Sequence, residues 1–93
     1  MPNKQYKKGT NFEYKVKKYY EKQGAFVFRS AGSHSPLDLL IFYPGGTIMG
    51  IQCKIKGNLL KYEEEELQEL KYKYSIPILI ASKDKKQIAL RTI

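Results

Sequence analysis

The sequence predicts an α/β fold with a mixed central β-sheet flanked by helices. Apolar residues recur at helical spacing in two separated segments, Phe12 to Tyr20 and Leu67 to Tyr74. Between and after them lie short apolar and aromatic runs bounded by glycine and proline, which read as strands. The order is helix, three strands, helix, then one or two strands. Three meandering strands followed by a helix and a further strand require a crossover, so the sheet is mixed. The 93 residues leave room for one domain, spanning 1–93, preceded within it by a basic arm over residues 1–9.

Each element has its own signal. Thr10-Asn11-Phe12-Glu13 fits a capping box and places the start of the first helix near Thr10. Phe12, Val16 and Tyr19 or Tyr20 form its apolar stripe, and Gly24 ends it at about Gln23. Ala25 to Arg29 reads as a short strand, and Ser30 to Pro36 as a loop by composition. Leu37 to Tyr43 is the second strand. Pro44-Gly45-Gly46 turns the chain, so Thr47 to Ile55 returns as its hairpin partner. Gly57-Asn58 breaks the chain before a second helix, Glu63 to Tyr74. Its glutamates sit in the first turn and Lys71 and Lys73 in the last, as the helix dipole prefers. Ile76 to Ala81 is a continuous apolar run, which predicts a strand buried on both faces. Gln87 to Ile93 closes the chain as an edge strand.

Charge points to a polyanionic partner. There are 17 Lys and Arg against 9 Asp and Glu, a net charge of +8 and a pI near 9.6. Lysines crowd the first 22 residues, opposed only by Glu13 and Glu21. Glu63, Glu64, Glu65, Glu66 and Glu69 form the one acidic block. One acidic surface against a basic remainder suits a protein that docks a face on nucleic acid. A lysine-rich surface serving solubility or heat resistance is the competing reading. A single cysteine, Cys53, excludes a disulfide scaffold and a multi-cysteine zinc module. No apolar run is long enough to span a bilayer, and Met1 to Lys8 lacks the apolar stretch of a signal peptide. The expected location is intracellular: cytoplasm or nucleoid, or host cytoplasm for a viral protein.

One constellation carries chemistry. Asp38 opens the second strand, and Gln52 and Lys54 lie on the strand paired with it. Strand alternation points Gln52 and Lys54 to one face and Cys53 to the other. The hairpin therefore gathers a carboxylate, an amide oxygen and an ammonium at one end of the sheet. Glu13 on the first helix can supply a second carboxylate, directly or through a water. Phosphodiester cleavage needs such a set. A hard divalent cation takes oxygen ligands, here Asp38, the Gln52 carbonyl oxygen, the Cys53 backbone carbonyl and water. It polarises the phosphate and acidifies a bound water. Lys54 can orient that water or stabilise charge on the phosphate. Arg29, Ser30, Ser33 and Ser35 can hold neighbouring phosphates. Each residue also has a structural reading: Glu13 as the capping-box glutamate, Asp38 as a cap for the loop after Pro36, and Gln52 and Lys54 as a solvated strand face. His34 reads as a loop residue, Cys53 as a small buried hydrophobe, and the glutamate run as a solvated helix N-terminus.

These residues stand in a pattern that resembles the archaeal Holliday-junction resolvases (Hjc-like) of the PD-(D/E)XK nuclease superfamily. The resemblance runs from about Tyr6 to Ser82. Its marks are Tyr6-Lys7-Lys8-Gly9, Glu13, Gln23-Gly24, the stretch Phe28-Arg29-Ser30-Ala31-Gly32-Ser33, Asp38, and Ile51-Gln52-Cys53-Lys54. It implies a restriction-endonuclease-like αβββαβ core forming a single nuclease domain. It implies a homodimer with two active sites, each nicking one of two opposed strands of a four-way DNA junction with magnesium or manganese. By position, Glu13, Asp38 and Lys54 are then catalytic and Asp38 ligates the metal. Arg29 and Ser33 support phosphate binding, and the basic arm with Lys4, Lys7 and Lys8 contacts DNA. The pattern departs from the family at two places. Gln52 stands where the second acidic residue is usual, giving a glutamine-X-lysine variant, and Tyr14 stands where an arginine is common. Two other functions remain open: a less selective branched-DNA nuclease of the same fold, and a weakly active DNA-binding module that retains it.

Overall fold

The computed structural model describes residues 4–30 and 35–93. The elements are α1 (Lys4–Glu21), β1 (Phe26–Arg29), β2 (Leu39–Phe42), β3 (Ile48–Cys53), α2 (Lys61–Tyr74), β4 (Ile78–Asp84) and β5 (Gln87–Thr92). The strands form one sheet in the order β1-β2-β3-β4-β5. β1 to β3 form an antiparallel meander. β3 and β4 are parallel, joined through α2, and β5 returns antiparallel on the edge. This is the mixed sheet with flanking helices that the element order predicts.

Two apolar clusters hold the three layers together. Phe12, Val16 and Tyr20 on α1 pack against Val27, Leu39, Ile41, Ile51 and Ala81 on one face of the sheet. Leu67 on α2 packs against Ile78 and Ile80 on the other face. β4 thus buries side chains on both faces, as its unbroken apolar run predicts. Burial of each such aliphatic side chain contributes about 1.5–3 kcal/mol.

The start of α1 differs from the sequence expectation. The helix begins at Lys4, not near Thr10, so described residues Lys4 to Gly9 are its first turns and not an arm. The capping box does not form because the Glu13 carboxylate accepts a hydrogen bond from Arg29 Nε at 2.9 Å. With Glu13 taken, Thr10 is an interior helical residue. Lysine and glutamine are good helix formers, and Gly9 costs only about 1 kcal/mol. α2 begins at Lys61, two residues before the expected Glu63, because Glu63 Oε1 accepts the Leu60 N–H at 3.0 Å.

Two glycines shape the chain around the sheet. Gly24, at φ 90°, turns the chain out of α1 in a conformation that side chains resist. Gly50 on β3 leaves room for Leu37, since a Cβ there would lie 3.0 Å from both Leu37 methyl carbons. Leu37 therefore lies against β3 and anchors the segment that delivers Asp38.

Candidate active site

Asp38 immediately precedes β2, and its neighbours on both sides hold it. Its N–H donates to the Ile51 carbonyl at 2.8 Å, and its carbonyl accepts the Ser30 N–H at 2.9 Å. Its side chain then bridges to β3, where Oδ2 accepts the Cys53 N–H at 2.8 Å. β2 and β3 pair only from Leu39 and Ile51 onward, so the carboxylate takes the place of a ladder partner for Cys53. This makes the aspartate a rigid part of the sheet end.

Glu13 reaches the same place from α1. Its ion pair with Arg29, the last residue of β1, spans 2.9 Å with both side chains largely buried. Tyr14 supports the guanidinium, whose carbon lies 4.8 Å from the ring centroid. Glu13 feels the Asp38 carboxylate. Burial raises the Glu13 pKa above its ordinary value, and the Asp38 charge adds to the rise against the opposing pull of Arg29. Burial also raises Asp38, against the Cys53 N–H and the charges of Lys54 and Arg29. Two acids pushed upward in one place form a site short of positive charge.

Lys54 follows β3 directly, its N–H bonded to the Ala81 carbonyl at 2.8 Å. The alternation holds: Ile51 and Cys53 pack in the cluster beneath α1, while Lys54 turns toward α2. There its Nζ lies 2.6 Å from Glu63 Oε2. Gln52 is half-buried at the register position of Ile80. The Cys53 thiol is pushed far up by burial, then by Asp38 and Glu13, which removes it as a nucleophile.

The fold thus brings Glu13, Arg29, Asp38, the Cys53 main chain and Lys54 to one end of the sheet. It does not bring every predicted residue there. Ser35 is exposed and its Oγ accepts the Leu37 N–H at 3.1 Å. Ser30 is tied through its backbone to Asp38. Ser33 and His34 lie outside the described residues, as do the side chains of Lys4 and Lys7. Lys8 is exposed and lines a cavity of about 230 Å³ with Asn11, Phe12, Lys15, Ile55 and Lys83. Sequence reasoning missed Lys15 and Lys83 as partners of Lys8, and Glu63 as the partner of Lys54. No local pattern links residues so far apart in the chain.

Among the described residues, no group of three or more His, Cys, Asp or Glu side chains gathers as a metal cage. The acidic side chains at the sheet end, Glu13 and Asp38, offer oxygen donors. That set suits a hard divalent cation, whose charge would relieve the two raised carboxylates.

The sequence model of the archaeal Holliday junction resolvase (Hjc) family matches residues 4–90. The chain belongs to that family. This resolvase is similar in structure to Archaeoglobus fulgidus Hjc, a Holliday junction resolvase from an archaeal hyperthermophile. The TM-score is 0.70 at 27% identity, covering 92% of this chain and 71% of that one. No curated protein sequence matches the chain. The five-stranded mixed sheet with its two helices is thus the nuclease fold of the family. The resolvase is a structure-selective, junction-resolving nuclease.

Proposed function

We propose that this chain cuts four-way DNA junctions by paired nicks, as a homodimer, with magnesium or manganese as cofactor. The observation that carries the reading is the joined set of Glu13, Arg29, Asp38 and Lys54 at one end of the sheet. Asp38 would hold the cation, with the Gln52 amide oxygen, the Cys53 backbone carbonyl and Glu13, directly or through water. A bound divalent cation supplies Lewis-acid polarisation of the phosphate and a water acidified for attack.

The chain's own residues do the rest. Lys54 presents donors to the phosphate oxygens on which charge grows during attack. Arg29 holds Glu13 in place and offers its remaining donors to a neighbouring phosphate. Ser30, Ser33 and Ser35 would bind neighbouring phosphates. Lys4, Lys7 and Lys8 at the start of α1 follow the DNA backbone, continued by Lys15 and Lys83 across the cavity. Such a cell-internal DNA partner agrees with a chain in which no described helix is long and apolar enough to cross a membrane.

Paired nicks need two sites in one particle, and each chain carries one. The second copy has a surface to use. Phe26 and Phe28 on β1 are exposed, on the sheet face opposite α1, and the Phe26 ring lies 6.0 Å from that of Phe42. An apolar strip of this kind on a small soluble chain suits a partner interface.

The test is incubation with a labelled four-way junction beside a matched duplex, in magnesium, in manganese and in chelator. Symmetric nicks on the junction alone, lost in chelator, are the expected result. Equal cutting of other branched DNA would favour the less selective nuclease, and junction binding without cutting the DNA-binding module. The neutral Gln52 is the observation that keeps this last reading in view.

A further inference from the structure

Lys54 meets a carboxylate that the sheet does not provide. Its Nζ lies 2.6 Å from Glu63 Oε2, on the first turn of α2. The other oxygen of the same carboxylate, Oε1, accepts the Leu60 N–H at 3.0 Å. Glu63 is thus held at both oxygens, once by the helix start and once by the ammonium. It stands apart from the acidic run around it: Glu64, Glu65 and Glu66 are exposed, whereas the Glu63 side chain is 18% exposed. The ammonium and the backbone donor together hold its carboxyl below the usual carboxylate range.

The need for such a partner follows from Gln52. Residues 52 and 54 lie on one face of β3, so a glutamate at 52 would stand beside the lysine and balance its charge. Gln52 is neutral, and the Asp38 carboxylate is engaged by the Cys53 N–H. The Lys54 charge acts on Asp38, but the ion pair its ammonium makes is with another element. Lysine also loses much rotamer freedom when fixed, so a free Lys54 would spend little time in one place. A carboxylate anchored on a helix removes that freedom before substrate arrives. An ammonium has three donors, so one contact to Glu63 leaves others for a phosphate.

We propose that Glu63 is a positioning residue for Lys54, filling from α2 the role that an acid at position 52 would fill from β3. The inference rests on the reading of Lys54 as a catalytic residue of the resolvase.

Glu63→Gln tests it cleanly, because the amide oxygen can still accept the Leu60 N–H while the charge is gone. The measurements are single-turnover cleavage of a four-way junction at saturating protein, junction Kd without metal, and Tm. The rate should fall about tenfold while Kd stays within about twofold. At saturating magnesium, Gln52→Glu added to Glu63→Gln should recover most of the loss. A glutamate on β3 cannot repair a helix start, so this rescue decides the matter even if Glu63→Gln lowers Tm. The inference falls if Glu63→Gln cuts at the parent rate, if rate and affinity fall together, or if the double variant is no faster than Glu63→Gln. A parent that cuts no junction in either metal overturns the resolvase reading itself, and this inference with it.

Discussion

At the scale of single residues, the site trades stability for charge. Asp38 and Glu13 are half-buried acids that burial raises, Glu13 further by the Asp38 charge, and they lie where nothing in the apolar core gains from them. Asp38→Asn keeps an oxygen for the Cys53 N–H and removes the charge. It should lower junction cleavage by about 100-fold or more while junction binding holds or improves. The same variant should be more stable than the parent at neutral pH without metal, by about 0.5–1 kcal/mol. Cleavage assays and urea melts on one preparation check both halves. The pH dependence follows from the sign of the shifts. The ordinary values are 3.8 for Asp38 and 4.5 for Glu13, and both rise in the folded chain. The native state therefore holds these protons more tightly than the unfolded state does. Their contribution to stability is full below the ordinary values and is lost as pH rises through the folded ones. Glu63, shifted down, acts in the opposite sense and contributes above its ordinary 4.5. Melting temperatures between pH 3.5 and 7 for the parent and for Asp38→Asn with Glu13→Gln separate the two trends. The parent should lose stability relative to the double variant as pH rises, and magnesium should restore part of it at neutral pH. A constant gap across that range would show that the two acids are not strained.

At the scale of elements, α2 does two jobs with its two ends. Its start positions Glu63 over the sheet end, and its last turn holds Lys71, whose ammonium bonds the Ile93 carbonyl at the chain end. Between them only Leu67 is fully buried, so the helix is held by one deep contact and its termini. Ser75, which caps it, lies in the left-handed region at φ 54° and ψ 41°. A side chain there costs free energy that glycine avoids. Ser75→Gly should raise stability by about 0.5–1 kcal/mol without changing cleavage, since Ser75 is exposed and takes no part in the site. Chemical denaturation of the two proteins measures it, and a loss of stability would mean that unfolded-state entropy outweighs the strain.

At the scale of the whole molecule, charge and apolar surface are segregated by face and by end. Lysines from α1 and from the end of β4 meet around the basic cavity, although their sequence positions are far apart. If this surface follows DNA, each phosphate contact contributes about −0.9 to the log–log salt slope on duplex arms. Lys8→Ala with Lys83→Ala should make the slope shallower by roughly 2 and weaken binding, read by titrations at several salt concentrations. An unchanged slope would place the DNA elsewhere. The exposed β1 face is the other large-scale feature. If the proposed homodimer forms through it, Phe26→Ser with Phe28→Ser should shift sedimentation from dimer to monomer and turn paired cuts on one junction into independent nicks. Retention of the dimer would move the interface off β1.

The order and type of the elements were readable in the sequence because they rest on local periodicity and turn chemistry. Pro44-Gly45-Gly46 placed Asp38 opposite the strand of Gln52 and Lys54, and the apolar run at Ile76 to Ala81 announced a strand buried on both faces. Strand alternation alone separated Cys53 from Lys54, and the motif residues marked the family. Contacts between distant residues were decided only by the tertiary structure. Thr10 and Glu13 have the local signature of a helix start, yet α1 begins at Lys4, because β1 brings Arg29 to Glu13 and a part-buried ion pair wins over a local cap. The link from Lys54 to Glu63 depends on which face of the sheet α2 covers, and the basic cavity on how α1 crosses β3 and β4. Hydrophobic spacing tells a helix which side to bury. It does not tell a charged side chain which other element will arrive beside it.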